Sequence, residues 1–206
     1  MKLEDFGNIP FRMQDLNSVY PGCANLATKA RRLENAGEII RLKKGLYITS
    51  SKISRVPVSP FLVANHMYGP SYISMQTALR FYGMIPETVY EIQSMTTGLT
   101  KEYSNDIGKF RYVHVSPEYY NCGVVVAEES GISFMIASPA KALCDLMVYS
   151  PYLNLKSCNA IAEYLEDDIR FDMDELASLD KDVIKRCAEN SRKKTMLNQL
   201  MKFINK

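Results

Sequence analysis

The stretch from Pro21 to Tyr47, PGCANLATKARRLENAGEIIRLKKGLY, limits what this chain can fold into more than any other. Leu26, Ala30 and Leu33 recur at helical spacing and are expected on the core side of one helix. At about 100° per residue, Thr28 and Asn35 fall nearly opposite Leu26, flanked by Asn25, Arg31 and Arg32. Lys29 lies nearer the core edge. Gly37 stands where such a helix needs a left-handed residue to stop. Ile39, Ile40 and Leu42 are then β-prone, Lys44-Gly45 makes a tight turn, and Leu46, Tyr47 and Ile48 return as a second strand. Upstream, Phe11 to Val19 fits a preceding helix with Met13, Leu16 and Val19 on one face, and Pro21-Gly22 supplies the turn between the two.

Two helices followed by a basic two-stranded hairpin are the layout of a winged helix-turn-helix, in which the second helix enters the DNA major groove and the wing rests on phosphate. Arginine suits guanine, asparagine suits adenine, and threonine suits either. The expected DNA contacts are therefore Asn25, Thr28, Lys29, Arg31, Arg32, Lys43 and Lys44, with Lys29 on phosphate rather than a base. A merely solvated basic face is the plain alternative and is the better account of the helix taken alone. The basic hairpin placed where a wing belongs tips the reading toward duplex DNA.

Charge supports that partner. Met1 to Lys52 holds nine Lys/Arg and five Asp/Glu, net +4, whereas the remaining residues hold 16 and 18, net −2. The whole-chain charge of +2 hides this asymmetry. A basic first quarter implies a polyanion and salt-dependent binding. With 206 residues and 47% hydrophobic content the chain can bury a substantial core in one or two domains. Its five cysteines (Cys23, Cys122, Cys144, Cys158, Cys187) are scattered and form no CxxC pair, which argues against a zinc ribbon or disulfide framework and for a reducing cytoplasm. Neither a signal peptide nor a membrane span is expected.

Ser50 to Ser59 is polar and proline-broken and reads as a linker between a DNA-binding domain, residues 1–52, and a second domain, residues 58–206. Within the latter, 58–150 reads as α+β with a mainly antiparallel sheet, and 156–206 as helical. Helices are expected over Pro60 to Met67, Met75 to Tyr82 (capped by Ser74) and Pro139 to Val148 (capped by Ser138). Strands are expected over Tyr90 to Thr96, Phe110 to Val115, Val124 to Glu128 and Ile132 to Ile136. The helical end divides by charge. Glu163 to Asp182 carries nine acids and two bases; Lys185 to Lys206 carries seven bases and one acid. Solvated faces explain such blocks residue by residue, but adjoining blocks of opposite sign also make a candidate partner surface, centred on Lys185, Arg186, Arg192, Lys193 and Lys194.

Gly45-Leu-Tyr47, Val63-Ala-Asn65, Pro70-Ser-Tyr-Ile-Ser74, Ala78-Leu79, Tyr82-Gly83, Ile85-Pro86-Glu87, Tyr112-Val-His114 and the run from Ile136 to Leu146 follow one another in an order and spacing that closely resemble the AbiEi-family antitoxins, the transcriptional regulators of type IV toxin–antitoxin systems. The resemblance covers about Phe11 to Leu146. It implies an N-terminal winged helix-turn-helix and a C-terminal antitoxin domain. It also implies repression of the chain's own operon through inverted repeats in the promoter, and neutralisation of an AbiEii-like nucleotidyltransferase toxin without a stable complex being required.

Enzyme readings are weaker. The chain has two histidines, His66 and His114, and a thiol site of Cys144, His114 and Asp145 can be drawn, but Cys144 sits on the apolar face of Ala140, Leu143 and Met147. Glu166-Asp167-Asp168 reads as a solvated helix end rather than a metal site, the GxxxxGK[ST] phosphate loop is absent, and no cofactor or metal is expected. Lys141 is the one charge of the middle block that stands out, with surface solvation or an ion pair as its plain role. The expectation is a non-enzymatic regulator. Its alternatives are a winged-helix regulator with no antitoxin role, an enzyme or nucleotide-binding protein that docks through the winged helix, and a winged helix that binds only protein.

Overall fold

The computed structural model describes residues 1–205, so the last residue of the expected 58–206 domain lies outside the described residues. A 3₁₀ turn, Leu3–Phe6, opens the chain. It is followed by β1 (Phe11–Arg12), a 3₁₀ helix (Met13–Ser18), α1 (Leu26–Asn35), β2 (Ile39–Lys43) and β3 (Leu46–Thr49). The three strands are antiparallel in the order β1-β3-β2. The helix expected over Phe11 to Val19 is thus divided. Phe11 and Arg12 pair with Tyr47 and Leu46 instead. The Arg12 N–H is taken by the Asp15 carboxylate at 2.7 Å and the Met13 N–H by the Gly45 carbonyl at 3.1 Å, which leaves a tight 3₁₀ run for the rest.

The β2–β3 hairpin is apolar on both faces. Ile39 and Tyr47 join a small core with Leu3, Phe11, Leu16, Ala30 and Leu33, against which Leu26 also packs. Ile40, Leu42, Leu46 and Ile48 point the other way, into the large core of residues beyond 60. The pleat alternates sides, so one hairpin serves two cores. The expected linker contains a short helix, α2 (Ser51–Ser54).

Beyond it come α3 (Pro60–Met67), β4 (Ser71–Ile73), α4 (Met75–Phe81), β5 (Glu91–Thr96), β6 (Lys101–Asn105), β7 (Gly108–His114), α5 (Pro117–Tyr120), β8 (Val124–Glu129), β9 (Ile132–Ala137) and α6 (Pro139–Tyr149). The class is α+β. The six-stranded sheet, ordered β6-β7-β5-β4-β9-β8, is mixed rather than mainly antiparallel. Three neighbouring pairs are antiparallel (β4–β5, β6–β7, β8–β9), while β5–β7 and β4–β9 are parallel. The expectation failed because two strands were not foreseen. β6 lies outside β7, so β5 and β7 become parallel neighbours, and the three-residue β4 sits between β5 and β9. Asn65 of α3 supplements the single β4–β9 pairing: its Oδ1 accepts from the Met135 N–H at 2.6 Å and its Nδ2 donates to the Met135 carbonyl at 3.3 Å.

Ser59 and Ser138 cap α3 and α6 ahead of a proline at the first turn. Ser74 precedes α4 but makes no cap bond, because its hydroxyl is turned to Asp145. The end of the chain is helical: α7 (Cys158–Glu163) running into a π turn (Tyr164–Asp168), a 3₁₀ helix (Met173–Ser178), α8 (Lys181–Glu189) and α9 (Lys194–Ile204). Ile161, Leu165, Ile184, Cys187, Leu197 and Leu200 close the large core.

Candidate nucleic-acid interface

Ala30 and Leu33 seat α1 on the small core, and Thr28, Arg31, Arg32 and Asn35 are exposed on its other side. Asn25 is the N-cap: its Oδ1 accepts from the Thr28 N–H at 2.9 Å, which commits this side chain to the helix end. Lys29 lies with its Nζ 4.1 Å from the Tyr20 ring centroid, a cation–π contact tying α1 to the preceding turn.

The hairpin tip separates its two lysines. Gly45 has φ +77° and nothing within 4 Å of a Cβ placed there, so the turn requires glycine for conformation and not for space. In the β2–β3 ladder Arg41 faces Tyr47 and Lys43 faces Leu46, with an irregularity at Leu42 between them. That bulge reverses Lys43. Its Nζ donates to the Met67 carbonyl at the end of α3 and lies 5.8 Å from the Tyr103 centroid. Burial, followed by the nearby Lys101 and Arg12 charges, pushes the Lys43 pKa down. Lys44 remains exposed.

Between α1 and the hairpin tip runs a groove of about 550 Å³, bordered by Arg31, Asn35, Arg41 and Lys44, with Glu34 its one acid. None of the three cations forms an ion pair among the described residues. The residues expected on DNA therefore separate. Thr28, Arg31, Arg32 and Lys44 are free side chains on one side; Asn25, Lys29 and Lys43 are engaged in holding the fold. Arg41 was not among the expected contacts, yet strand alternation carries the signal: it shares a face with Ile39 and Tyr47, the face that meets α1.

The C-terminal cations divide in the same way. Lys185, Arg186 and Lys194 are exposed, and the Arg192 guanidinium lies 5.8 Å from the Tyr149 ring centroid. Lys193 is half-buried. Its Nζ donates to the carbonyls of Met147, Ser150 and Leu153 at 3.2, 3.0 and 2.9 Å and so closes the end of α6. Two of the acids, Asp172 and Asp180, are helix caps.

Lys141 is not on the surface. It and Asp145 are both 0% exposed, with Nζ 3.1 Å from Oδ1, a close ionic contact without hydrogen-bond alignment. The ammonium donates to the Tyr119 carbonyl at 2.9 Å and lies 3.3 Å from that ring's centroid. Tyr72 and Ser74 hydroxyls donate to Asp145 Oδ2 at 3.0 and 2.6 Å. Burial, then the Asp145 charge, pushes the Tyr72 and Tyr119 phenols up. Cys144 is wholly buried beside Cys187, and its thiol is pushed up by their hydrogen bond and by burial. His114 is exposed, with Nδ1 2.8 Å from the Gly98 carbonyl. Cys144 and His114 thus lie in different surroundings, and this polar cluster joins α6 to β4 and α5 with no path to solvent.

Among the described residues no group of histidine, cysteine and acidic side chains can hold a metal ion, and no helix is long and apolar enough to cross a membrane. No protein-family model matches the chain, and no curated protein matches it.

Proposed function

We propose that the N-terminal residues 1–52 form a winged helix-turn-helix that binds duplex DNA, α1 in the major groove and the β2–β3 tip on the phosphate backbone. One observation carries the reading: a single groove between α1 and the hairpin tip collects Arg31, Arg41 and Lys44, none of them ion-paired among the described residues, against the one acid Glu34. The element order and the β1-β3-β2 strand order agree with that architecture. Arg31, Arg32 and Thr28 are the base readers of this proposal; Lys44 and Arg41 are the backbone contacts, with Arg41 in the place first expected of Lys43.

The resemblance to AbiEi antitoxins supplies the biological setting. In this reading the chain is a non-enzymatic autorepressor that binds inverted repeats in its own promoter and counteracts an AbiEii-like nucleotidyltransferase toxin without a lasting complex. The test is a fluorescence-anisotropy titration of the full chain against the duplex upstream of its own reading frame and a scrambled duplex, over a salt series. Tighter binding to the upstream duplex, with affinity falling log-linearly as salt rises, is the expected result. Equal and salt-insensitive affinities would overturn it.

A further inference from the structure

We propose that Asn105, at the end of β6 where the turn to β7 begins, is a positioning residue for DNA binding: it fixes the wing's angle to α1 without touching nucleic acid. This rests on the DNA-binding reading above. The bulge at Leu42 leaves that residue without a cross-strand partner, and its carbonyl is taken by Asn105 Nδ2 at 3.0 Å. The amide cannot swing away, because its Oδ1 accepts from the Ile107 and Gly108 N–H groups at 2.9 and 3.4 Å within its own turn. The same Nδ2 lies 3.6 Å from Met67 Sδ. Beside it, Lys43 is held by the Met67 carbonyl and the Tyr103 ring, and Leu42 is 3% exposed in the large core. These holds converge on the bulge, directly before Lys44 and Gly45. Leu42, Lys44, Ser104 and Asn105 also line one continuous cleft. A hairpin tip is mobile unless it is tied. Here the tie comes from the middle of the chain, beyond residue 58, so anything that grips or displaces the β6–β7 turn changes DNA affinity, and DNA changes affinity for that effector equally.

The experiment uses the full chain with Asn105→Ser and Asn105→Ala. Serine keeps an acceptor for the turn, is too short to reach Leu42, and changes no charge. Both variants should bind the upstream duplex about three- to tenfold more weakly, the loss of one partly buried hydrogen bond. The log–log salt slope should stay that of the wild type. Hydrogen exchange should quicken between Ile39 and Thr49 and stay unchanged in α1. Weaker binding with unchanged exchange between Ile39 and Thr49 would make Asn105, an uncharged group whose loss leaves the salt slope alone, a direct nucleic-acid contact and overturn the proposal. Unchanged affinity, or faster exchange throughout α1, would also overturn it. Failure of the wild-type chain to bind any duplex would instead sink the DNA reading itself, a result distinct from equal binding by wild type and variants.

Discussion

Asp145 receives two hydroxyls and faces an ammonium one helical turn away, all out of contact with water. Removing one partner strands the other. Lys141→Met should therefore cost about 3–5 kcal/mol of folding free energy, measured by urea denaturation. The double variant Lys141→Met, Asp145→Leu should recover part of that loss, and a cost below about 1 kcal/mol for the single variant would contradict a buried pair. The spacing of Lys141 and Asp145 on an otherwise apolar helix was legible in the sequence. Their burial was not, because it depends on β4 and α5, short elements with no periodicity of their own. Lys193 teaches the same lesson. Its neighbours suggest a docking surface, but its three carbonyl partners make it a helix cap. Lys193→Ala should lower stability by about 1–2 kcal/mol, whereas the exposed Lys194→Ala should stay within about 0.5 kcal/mol in the same thermal melts.

At the scale of elements, the hairpin decides which cations are free to meet DNA in the proposed function. Lys44→Ala should lower the log–log salt slope by about one unit, and Lys43→Ala by clearly less, because Lys43 is occupied with Met67. Equal slopes for the two variants would return Lys43 to the phosphate backbone. Arg31→Ala should cost about 1–3 kcal/mol on the preferred site and relax its sequence preference if the side chain reads a guanine. Much of this was open to sequence reasoning. The α1 stripe of Leu26, Ala30 and Leu33, the stop at Gly37, and the cap Ser138 follow from local chemistry. What escaped it was non-local. β4 has only three residues, β6 reads as the polar run Lys101 to Asn105, and a bulge is invisible to a period-two count until it reverses a side chain.

For the whole molecule, sharing one hairpin between two cores sets a limit on dissection. The linker around Ser50 to Ser59 suggests domains that fold alone, but Leu42 and Ile48 are covered by residues from the far side of it. Exposing such a side chain costs about 1.5–3 kcal/mol. A fragment of residues 1–54 should accordingly lack a sharp thermal transition and bind the upstream duplex more weakly than the full chain, as read by circular dichroism and anisotropy; a cooperative melt with full affinity would show the first core to be self-sufficient. The sheet order has a consequence in time as well. Asn105 is 63 residues downstream of Leu42, and Ile73 of β4 waits as long for its β9 partner, Ile136. At a synthesis rate of about 5–20 residues per second, a nascent chain carries Leu42 and Ile48 uncovered for about 3–13 s before Asn105 leaves the ribosome. During that interval the hairpin's apolar face is open to chaperones and to other unfinished chains.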